Sequence, residues 1–188
     1  MYCKKINTVA STYMEQNKLK IEKEFLEAYE KYSDAIFRYC WSQTSNRETA
    51  LDLSQETFTK TWEYLAQGKE ILQIKAFLYR VALNAIIDYR RKHKAQSLDQ
   101  MTEDGFDFKE ETDSSERNQS AFDSKKATEL INQLDDKYKD VLMMRYAEDM
   151  SIKEISEITE ESENNISVRI HRGLAKMEEL LKPYEQQI

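Results

Sequence analysis

Glycine and proline are scarce in this chain, and that scarcity limits its fold more than any other feature. Three glycines and one proline occur among 188 residues, whereas a β-sandwich or barrel needs such residues at many of its turns. Charged residues make up 34% of the chain and hydrophobic residues 40%, a mixture that suits amphipathic helices with enough apolar surface for a core. We therefore expect an all-α fold.

Membrane spans and metal sites are not indicated. No stretch approaches the roughly 18 consecutive apolar residues of a membrane helix, and the N-terminus lacks the apolar core of a secretory signal. Cys3, Cys40, His93 and His171 form no ligand pattern, so we expect no metal, no cofactor and no disulfide framework. The expected protein is cytoplasmic, without membrane insertion.

Charge is distributed unevenly along the chain. The total is −7, which by itself disfavours nucleic acid as a ligand, since DNA-binding domains are usually basic. Residues 1–18 and 19–97 each carry +2, whereas 98–127 carry −5 and 128–188 carry −6. The acidity therefore belongs to the second half of the chain.

A polar, acidic stretch divides the chain into two helical domains. Residues 98–123 combine Asp, Glu, Ser and Thr with little apolar periodicity, which predicts a flexible acidic linker; an ordered charged helix or loop is the alternative. The predicted parts are an N-terminal extension (1–18), a helical domain (19–97), the linker (98–123) and a second helical domain (124–188).

The first domain has the pattern of four helices. Apolar residues at spacings of three and four predict a helix that ends near Ser33, and a second helix follows from Asp34 to about Thr44. A third helix is predicted from Arg47 to about Gln67, stopping at Gly68, and a fourth from about Lys75 to Lys94. The stripe of the first helix consists of Ile21, Phe25, Tyr29 and Tyr32.

The fourth predicted helix has two contrasting faces. Leu78, Ala82, Ala85 and Tyr89 form a stripe suited to packing. Residues 75–94 contain six basic residues and a single acid, so the opposite face can contact phosphates; a solvated basic helix end is the alternative. That face carries Arg80, Asn84, Ile87, Arg91 and Lys94.

The second domain has the spacing of a helix-turn-helix. Asp135-Asp136 is predicted to be the N-cap cluster of a helix that runs to about Ala147, and Ser151 and Glu154 form a capping box that opens a short helix. After a break at Glu160-Glu161, Ser162 caps a last helix that runs to about Lys182. Its predicted buried stripe is Ile166, Ile170, Leu174, Met177 and Leu181.

The outer face of that last helix carries side chains that suit a major groove. Amides can pair with adenine edges, a methyl-bearing side chain can contact thymine, and guanidinium groups can bind guanine or phosphate. A purely structural helical hairpin has the same spacing and stays open as an alternative. The face and its flanks consist of Asn164, Asn165, Val168, Arg169, His171, Arg172, Ala175 and Lys176.

Four segments in order resemble the extracytoplasmic-function family of RNA polymerase sigma factors. Residues 52–62 (DLSQETFTKTW) look like the family's region 2.2, and residues 77–91 (FLYRVALNAIIDYRR) look like regions 2.3 and 2.4. Residues 134–146 and 151–158 are similar to the start of region 4. The resemblance covers about Glu24 to Leu181, the linker excepted.

The resemblance implies a polymerase contact on the region 2.2 helix. In the family this helix docks on the clamp helices of the β′ subunit of core RNA polymerase. Asp52, Gln55 and Glu56 are then polar contacts, supported by Phe58 and Trp62. An ordinary amphipathic helix with an acidic outer face is the alternative.

Two DNA-reading surfaces also follow from the resemblance. Region 2 opens the minus-ten element and holds a flipped base in a pocket formed by the loop Gly68 to Ile74 and the fourth helix, and this assigns Arg80, Asn84, Ile87, Arg91 and Lys94 to minus-ten DNA. The sequence departs from the family at Glu160, Glu161 and Ser167. The minus-thirty-five element is assigned to Asn164, Asn165, Ser167, Val168, Arg169 and Arg172.

The sequence therefore predicts an alternative sigma factor that binds core polymerase and directs promoter recognition, minus-ten melting and transcription initiation. Its predicted partners are core RNA polymerase, promoter DNA and an anti-sigma factor, and the free protein is expected to be a monomer. No catalytic constellation is recognised, so we do not expect an enzyme. A helix-turn-helix regulator with a separate dimerisation or sensor domain is the alternative.

Overall fold

The described part of the chain is built of α-helices. The structure, a computed structural model, describes residues 2–100, 130, 131 and 133–185, with side chains described for 18–94, 130, 131 and 133–182. No strand occurs in those ranges, which confirms the all-α class. The principal α-helices of these ranges are α1 (Tyr2–Thr44), α2 (Arg47–Ala66), α3 (Ile74–Gln100), α4 (Asp136–Leu142), α5 (Ile152–Thr159) and α6 (Glu163–Glu185).

Across the described ranges, none of the helices is both long and apolar enough to cross a bilayer. Most of the predicted linker, residues 101–123, lies outside the described residues, whereas residues 98–100 form the end of α3. Contacts group the chain into two units, Met1–Ala85 and Ile86–Ile188.

Helix α1 corrects one sequence prediction, because the expected break at Ser33–Asp34 is absent. The helix runs through both residues without interruption. Its buried stripe continues past them, with Ile36, Tyr39 and Cys40 all fully buried. No glycine or proline interrupts this stretch, and burial of the continuing stripe outweighs the local preference of Ser and Asp for helix ends. The four predicted helices of the first domain are therefore three.

Local capping sets both ends of α2. The Asn46 side chain accepts a hydrogen bond from the Thr49 amide at 2.9 Å, the standard N-cap arrangement. At the other end Gly68 adopts φ 76°, a left-handed conformation that glycine takes without steric cost. The predicted bounds of this helix are confirmed to within a residue.

The core of the first unit lies where α1 and α2 meet the first half of α3. The rings of Tyr39 and Tyr79 meet edge to face at 5.3 Å between centroids. Leu78 and Ala82 of the predicted α3 stripe are fully buried, as expected. Burial raises the pKa of the Cys40 thiol to about 12, so this cysteine acts as a core residue rather than a nucleophile.

The second unit contains a compact helical hairpin. Helix α4 continues into a π-helical segment, Met143–Ala147, so its helical path ends where the sequence predicted. The capping box of α5 is confirmed: Ser151 Oγ accepts from the Glu154 amide at 3.2 Å, and Glu154 accepts from the Ser151 amide at 2.9 Å. The Ser162 hydroxyl likewise accepts from the Asn165 amide at 3.3 Å at the start of α6.

The buried stripe of α6 passes through a glycine instead of the predicted leucine. Ile166 and Ile170 are buried, as expected, but Leu174 is 41% exposed. Gly173 takes its place, because there the helix approaches α4 too closely for a side chain: a Cβ at Gly173 would lie 2.9 Å from Leu142 Cδ1. The stripe therefore shifts by one residue towards α4.

A buried ionic cluster also belongs to the second unit. The Arg90 guanidinium donates to both carboxylate oxygens of Asp140, with 3.1 Å to Oδ1. Desolvation raises the pKa of Asp140, and the nearby Arg90 opposes that rise. Desolvation, followed by the charge of Arg90, lowers the pKa of the neighbouring Lys139 to about 8.

Candidate functional site

The outer face of α2 is polar and open to solvent. Asp52, Gln55 and Glu56 are all exposed, on the side of the helix opposite the buried Thr57 and Thr61. Those two threonines donate their hydroxyls to backbone carbonyls one turn earlier, at 2.7 and 2.8 Å, so both buried hydroxyls are hydrogen-bonded. The exposed groups together form a polar surface that a partner can reach.

An aromatic cluster lies along one edge of that surface. Phe58 is 5% exposed, and its ring meets Tyr29 of α1 edge to face at 4.8 Å. Trp62 is half-buried and contacts the ring of Phe25 at 5.2 Å. These contacts fix α2 against α1. Phe58 is therefore a core residue that supports the outer face, whereas Trp62 keeps part of its ring at the edge.

The loop from Gly68 to Ile74 lines a cavity of about 590 Å³. The other wall of the cavity is α1, including Ala28 and Tyr32, and Asn84 is not among its lining residues. The expected pocket between this loop and α3 therefore remains a prediction. The charged rim of the observed cavity carries three lysines and three glutamates: Lys20, Lys31, Lys69, Glu24, Glu27 and Glu70.

The polar face predicted for α3 is accessible along most of its length. Asn84 is exposed and Ile87 is 46% exposed. The Arg91 side chain is 76% exposed and pairs with Asp88 at 3.0 Å, an exposed contact that costs little to break. Lys94 is exposed, and Arg80 is half-buried at the start of the face. The face combines an amide with cations.

The outer face of α6 holds most of the predicted DNA-reading groups. Asn164, Asn165, Ser167 and Arg172 are exposed, and Val168 is 38% exposed. They lie in the first three turns of the helix, where a recognition helix contacts base edges. Amides, a hydroxyl, a branched apolar side chain and a guanidinium are therefore presented together.

Two cations that the sequence placed beside this face turn back towards α4. Arg169 is tied to the Glu161 carboxylate and donates from Nε to the Lys137 carbonyl at 2.9 Å. Lys176 contacts Asp135 at 3.0 Å, and this hydrogen bond lowers the pKa of the exposed Asp135 carboxyl. Arg169 is thus engaged within the domain, unlike the exposed Arg172.

Sequence reasoning missed the contacts of Arg169 for a physical reason. Helical periodicity puts the residue at the flank of the outer face but does not reveal a backbone carbonyl 32 residues earlier. The eight-residue separation of Glu161 and Arg169 across the turn was the available signal. Glu161 lies just before the start of α6 and Arg169 lies on that helix. Their opposite charges can meet when the turn places Glu161 alongside the helix.

Comparison with known families identifies two regions along the chain. The family model for sigma-70 region 2 matches residues 28–96, and the model for sigma-70 region 4 matches residues 124–177. The same two regions, in the same order, are what the motif resemblance implied. The chain is an extracytoplasmic-function RNA polymerase sigma factor. It directs promoter recognition and transcription initiation as an alternative sigma factor. This is the leading prediction rather than its alternative, a helix-turn-helix regulator with a separate dimerisation or sensor domain.

Two curated relatives of this sigma factor come from Bacillus subtilis. The ECF RNA polymerase sigma factor SigM is 29% identical over 154 residues, covering 82% of this chain and 93% of the relative. The RNA polymerase sigma factor SigV is 28% identical over 145 residues, covering 76% of this chain and 81% of the relative. The similarity therefore spans both domains.

Solved structures share the fold of this sigma factor. The sigma factor RpoE of Bartonella quintana, solved with the anti-sigma factor NepR, matches with a TM-score of 0.67 at 20% identity over 85% of this chain and 98% of RpoE. CnrH, solved with the cytosolic domain of CnrY, matches with a TM-score of 0.63 at 20% identity over 86% of this chain and 90% of CnrH. At these identities the likeness concerns the fold.

Proposed function

We propose that three helical faces divide the work of this sigma factor. The outer face of α2 binds core RNA polymerase, the polar face of α3 reads the minus-ten element, and the outer face of α6 reads the minus-thirty-five element. The observation that carries this proposal is that each face gathers exposed groups of the required chemistry on the side away from its buried stripe.

The α2 face suits a protein partner better than DNA. Asp52 would repel phosphates, Gln55 adds a neutral donor and acceptor, and Glu56 pairs with the neighbouring Lys60 at 2.6 Å. The aromatic cluster beneath, with Phe58 at its centre, holds the helix rigid, so little ordering entropy is lost on binding. The proposed partner is the pair of clamp helices of the polymerase β′ subunit.

The α3 face suits separated DNA strands. Asn84 offers both hydrogen-bonding groups of an amide to a base edge, and Arg91 and Lys94 attract the backbone phosphates nearby. Exposed Ile87 adds an apolar surface on which a base can rest. Capture of an unpaired base offsets the few kcal/mol that unstacking costs, and melting of the minus-ten element follows.

Promoter binding should depend on polymerase. Residues 128–188 carry a net charge of −6, and the cations Arg169 and Lys176 are engaged within the domain. Because phosphate contacts supply much of the affinity for DNA, the free protein binds promoters weakly. On the polymerase, two weak sites share one scaffold and gain effective concentration.

Control by an anti-sigma factor is the second part of the proposal. RpoE and CnrH, which share this fold, were both solved with a protein partner, named an anti-sigma factor in the first case. A protein that covers the α2 face would compete directly with polymerase. Asp52 makes that face attractive to a basic partner surface, and Glu56 can join it by exchanging its exposed ion pair with Lys60.

Reconstituted transcription tests the proposal. Core polymerase from the source organism is incubated with genomic promoter fragments, with and without this protein. We expect promoter-directed transcripts only when the protein is present, and loss of those transcripts when Asp52, Gln55 and Glu56 are changed together to alanine. The absence of any directed transcript across the genome would refute the proposal.

A further inference from the structure

The side chain of Arg169 joins three segments of the helix-turn-helix unit. Its Nη1 donates to the Glu161 carboxylate in the turn before α6. Its Nε donates to the carbonyl of Lys137 in the first turn of α4 at 2.9 Å, and Nη2 donates to the same carbonyl. We call Arg169, Glu161 and the Lys137 carbonyl the Arg169 clasp.

The turn end of the clasp is itself anchored. The Ser156 hydroxyl of α5 donates to the Glu161 carbonyl at 2.6 Å, while Glu161 accepts from Arg169 through its carboxylate. Through Glu161, the clasp therefore connects α4, α5 and α6. A guanidinium has a planar, fixed set of donors, so bonds on two of its edges restrict the rotation of the helix that carries it.

Accessibility separates Arg169 from its neighbour Arg172. The Arg169 side chain is 20% exposed, whereas Arg172, nearly one turn further along α6, is exposed on the outer face. A cation held by a carboxylate has much of its charge compensated, so it releases few counterions from DNA. Contact with phosphate would also require Arg169 to give up the clasp.

We propose that Arg169 is a positioning residue for minus-thirty-five recognition rather than a DNA contact. The clasp sets the rotation of α6, and thereby the depth to which Asn164, Asn165 and Arg172 reach into the major groove. Glu161 then contributes to promoter recognition by holding Arg169 in place, although its negative charge repels DNA. This inference rests on the proposed function of the α6 face.

The test uses the complete holoenzyme, with core polymerase and full-length sigma factor. Promoter affinity is measured over a range of salt concentrations on two DNAs, one with the intact minus-thirty-five element and one with that element scrambled. The variants are Glu161→Gln, Arg169→Gln and Arg169→Lys. Glu160→Gln is the matched control, because it makes the same charge change one residue away from the clasp.

We expect Glu161→Gln and Arg169→Gln each to reduce the preference for the intact element by about fivefold to tenfold, in the range of a lost base-pair contact. The salt slope should stay as in the wild type, since no phosphate contact is lost. Arg169→Lys should behave like Arg169→Gln, because lysine keeps the charge but not the planar fork. Glu160→Gln should leave the preference unchanged.

A phosphate-binding Arg169 would give the opposite results. Glu161→Gln would then raise promoter affinity by releasing a cation, Arg169→Gln would lower the salt slope by about 0.9, and Arg169→Lys would retain the preference. Any of these three outcomes overturns the proposal. Thermal unfolding of each variant, together with transcription from a promoter that needs only the minus-ten element, shows whether the rest of the protein is intact.

Failure of the clasp can be told apart from failure of the α6 assignment. Asn165→Ala and Arg172→Ala remove exposed groups outside the clasp, so they report on the reading face alone. If both leave the preference for the intact element unchanged, α6 does not read that element. If both reduce it while Glu161→Gln does not, the face reads DNA and the clasp does not position it.

Discussion

Gly173 of α6 faces Leu142 of α4 so closely that a Cβ atom at position 173 would lie 2.9 Å from Leu142 Cδ1. Leu142 is 2% exposed, so its side chain has little room to move away. The Cβ of Tyr138 would lie 3.3 Å from the same point. The contact of α4 with α6 therefore depends on the absence of a side chain.

Replacing Gly173 with valine should destabilise the second unit. Overpacking of a tight core costs about 1–3 kcal/mol, and the helix propensity of valine is only slightly better than that of glycine. Chemical denaturation of the full-length protein measures the change. Ala175→Val, at an exposed position on the same helix, is the control and should cost well under 1 kcal/mol. An equal loss in the two variants would contradict a close approach at Gly173.

The triple change of Asp52, Gln55 and Glu56 to alanine should weaken binding to core polymerase by about tenfold to a hundredfold. All three side chains are exposed, so the free energy of unfolding should stay within about 0.5 kcal/mol for each substitution. Fluorescence titration of labelled protein with core polymerase gives the affinity. Asp34→Ala, at an exposed site on α1, is the control, and unaltered binding by the triple variant would remove α2 from the interface.

Asn84→Ala and Arg91→Ala should have different effects on minus-ten DNA. Loss of the Asn84 amide should lower selectivity for the correct base by a free energy on the order of 1–3 kcal/mol without altering the salt dependence. Loss of Arg91 should weaken binding to all sequences and reduce the salt slope by about 0.7, the value for single strands. Holoenzyme binding to forked promoter DNA measures both quantities. A reduced salt slope in Asn84→Ala, together with a loss of base selectivity in Arg91→Ala, would contradict these assignments.

Lys139 should make the stability of the second unit depend on alkaline pH. Desolvation lowers the pKa of Lys139 from 10.5 to about 8, with a further contribution from Arg90. The unfolded state therefore binds more protons between these values, and stability rises as pH increases through that range. Below pH 8 the native state carries the full cost of the buried charge.

Lys139→Met should remove this pH dependence and raise stability at pH 7 by an amount on the order of 1 kcal/mol. Urea unfolding at pH 7 and pH 10, for the wild type and the variant, isolates the contribution of Lys139 from that of other groups that titrate near pH 10. Lys137→Met, at an exposed site two residues away, is the control. A constant gap between wild type and variant across this range would show that Lys139 titrates normally.

Short-range signals predicted the parts of the fold that depend on neighbouring residues. Asn46 and Gly68 mark the limits of α2, and Ser151 with Glu154 marks the start of α5, because capping is satisfied within three residues. The continuity of α1, by contrast, depends on burial against the rest of the first domain and not on neighbouring residues. Ser33 and Asp34 have the chemistry of a helix start, yet the apolar stripe that continues to Ile36 and Tyr39 keeps α1 intact.

In the candidate site, too, some features could be predicted from neighbouring residues and others could not. Exposure of Asp52, Asn84 and Asn164 follows from helical periodicity, because each lies opposite a buried stripe. The bonds of Arg169 depend on how α4 and the turn fold back upon α6, which periodicity does not encode. The exchange of Leu174 for Gly173 in the buried stripe has a similar origin, since the approach of α4 decides it.

Glu160 ends α5 with φ 58°, in the left-handed conformation. An ordinary L-residue pays about 1–2 kcal/mol for that conformation, and asparagine tolerates it better. Glu160 therefore carries a conformational cost that a better-suited residue would avoid, at a position outside the buried stripe of the domain. A single substitution at position 160, such as asparagine for Glu160, would therefore raise the thermal stability of the protein without repacking a core residue.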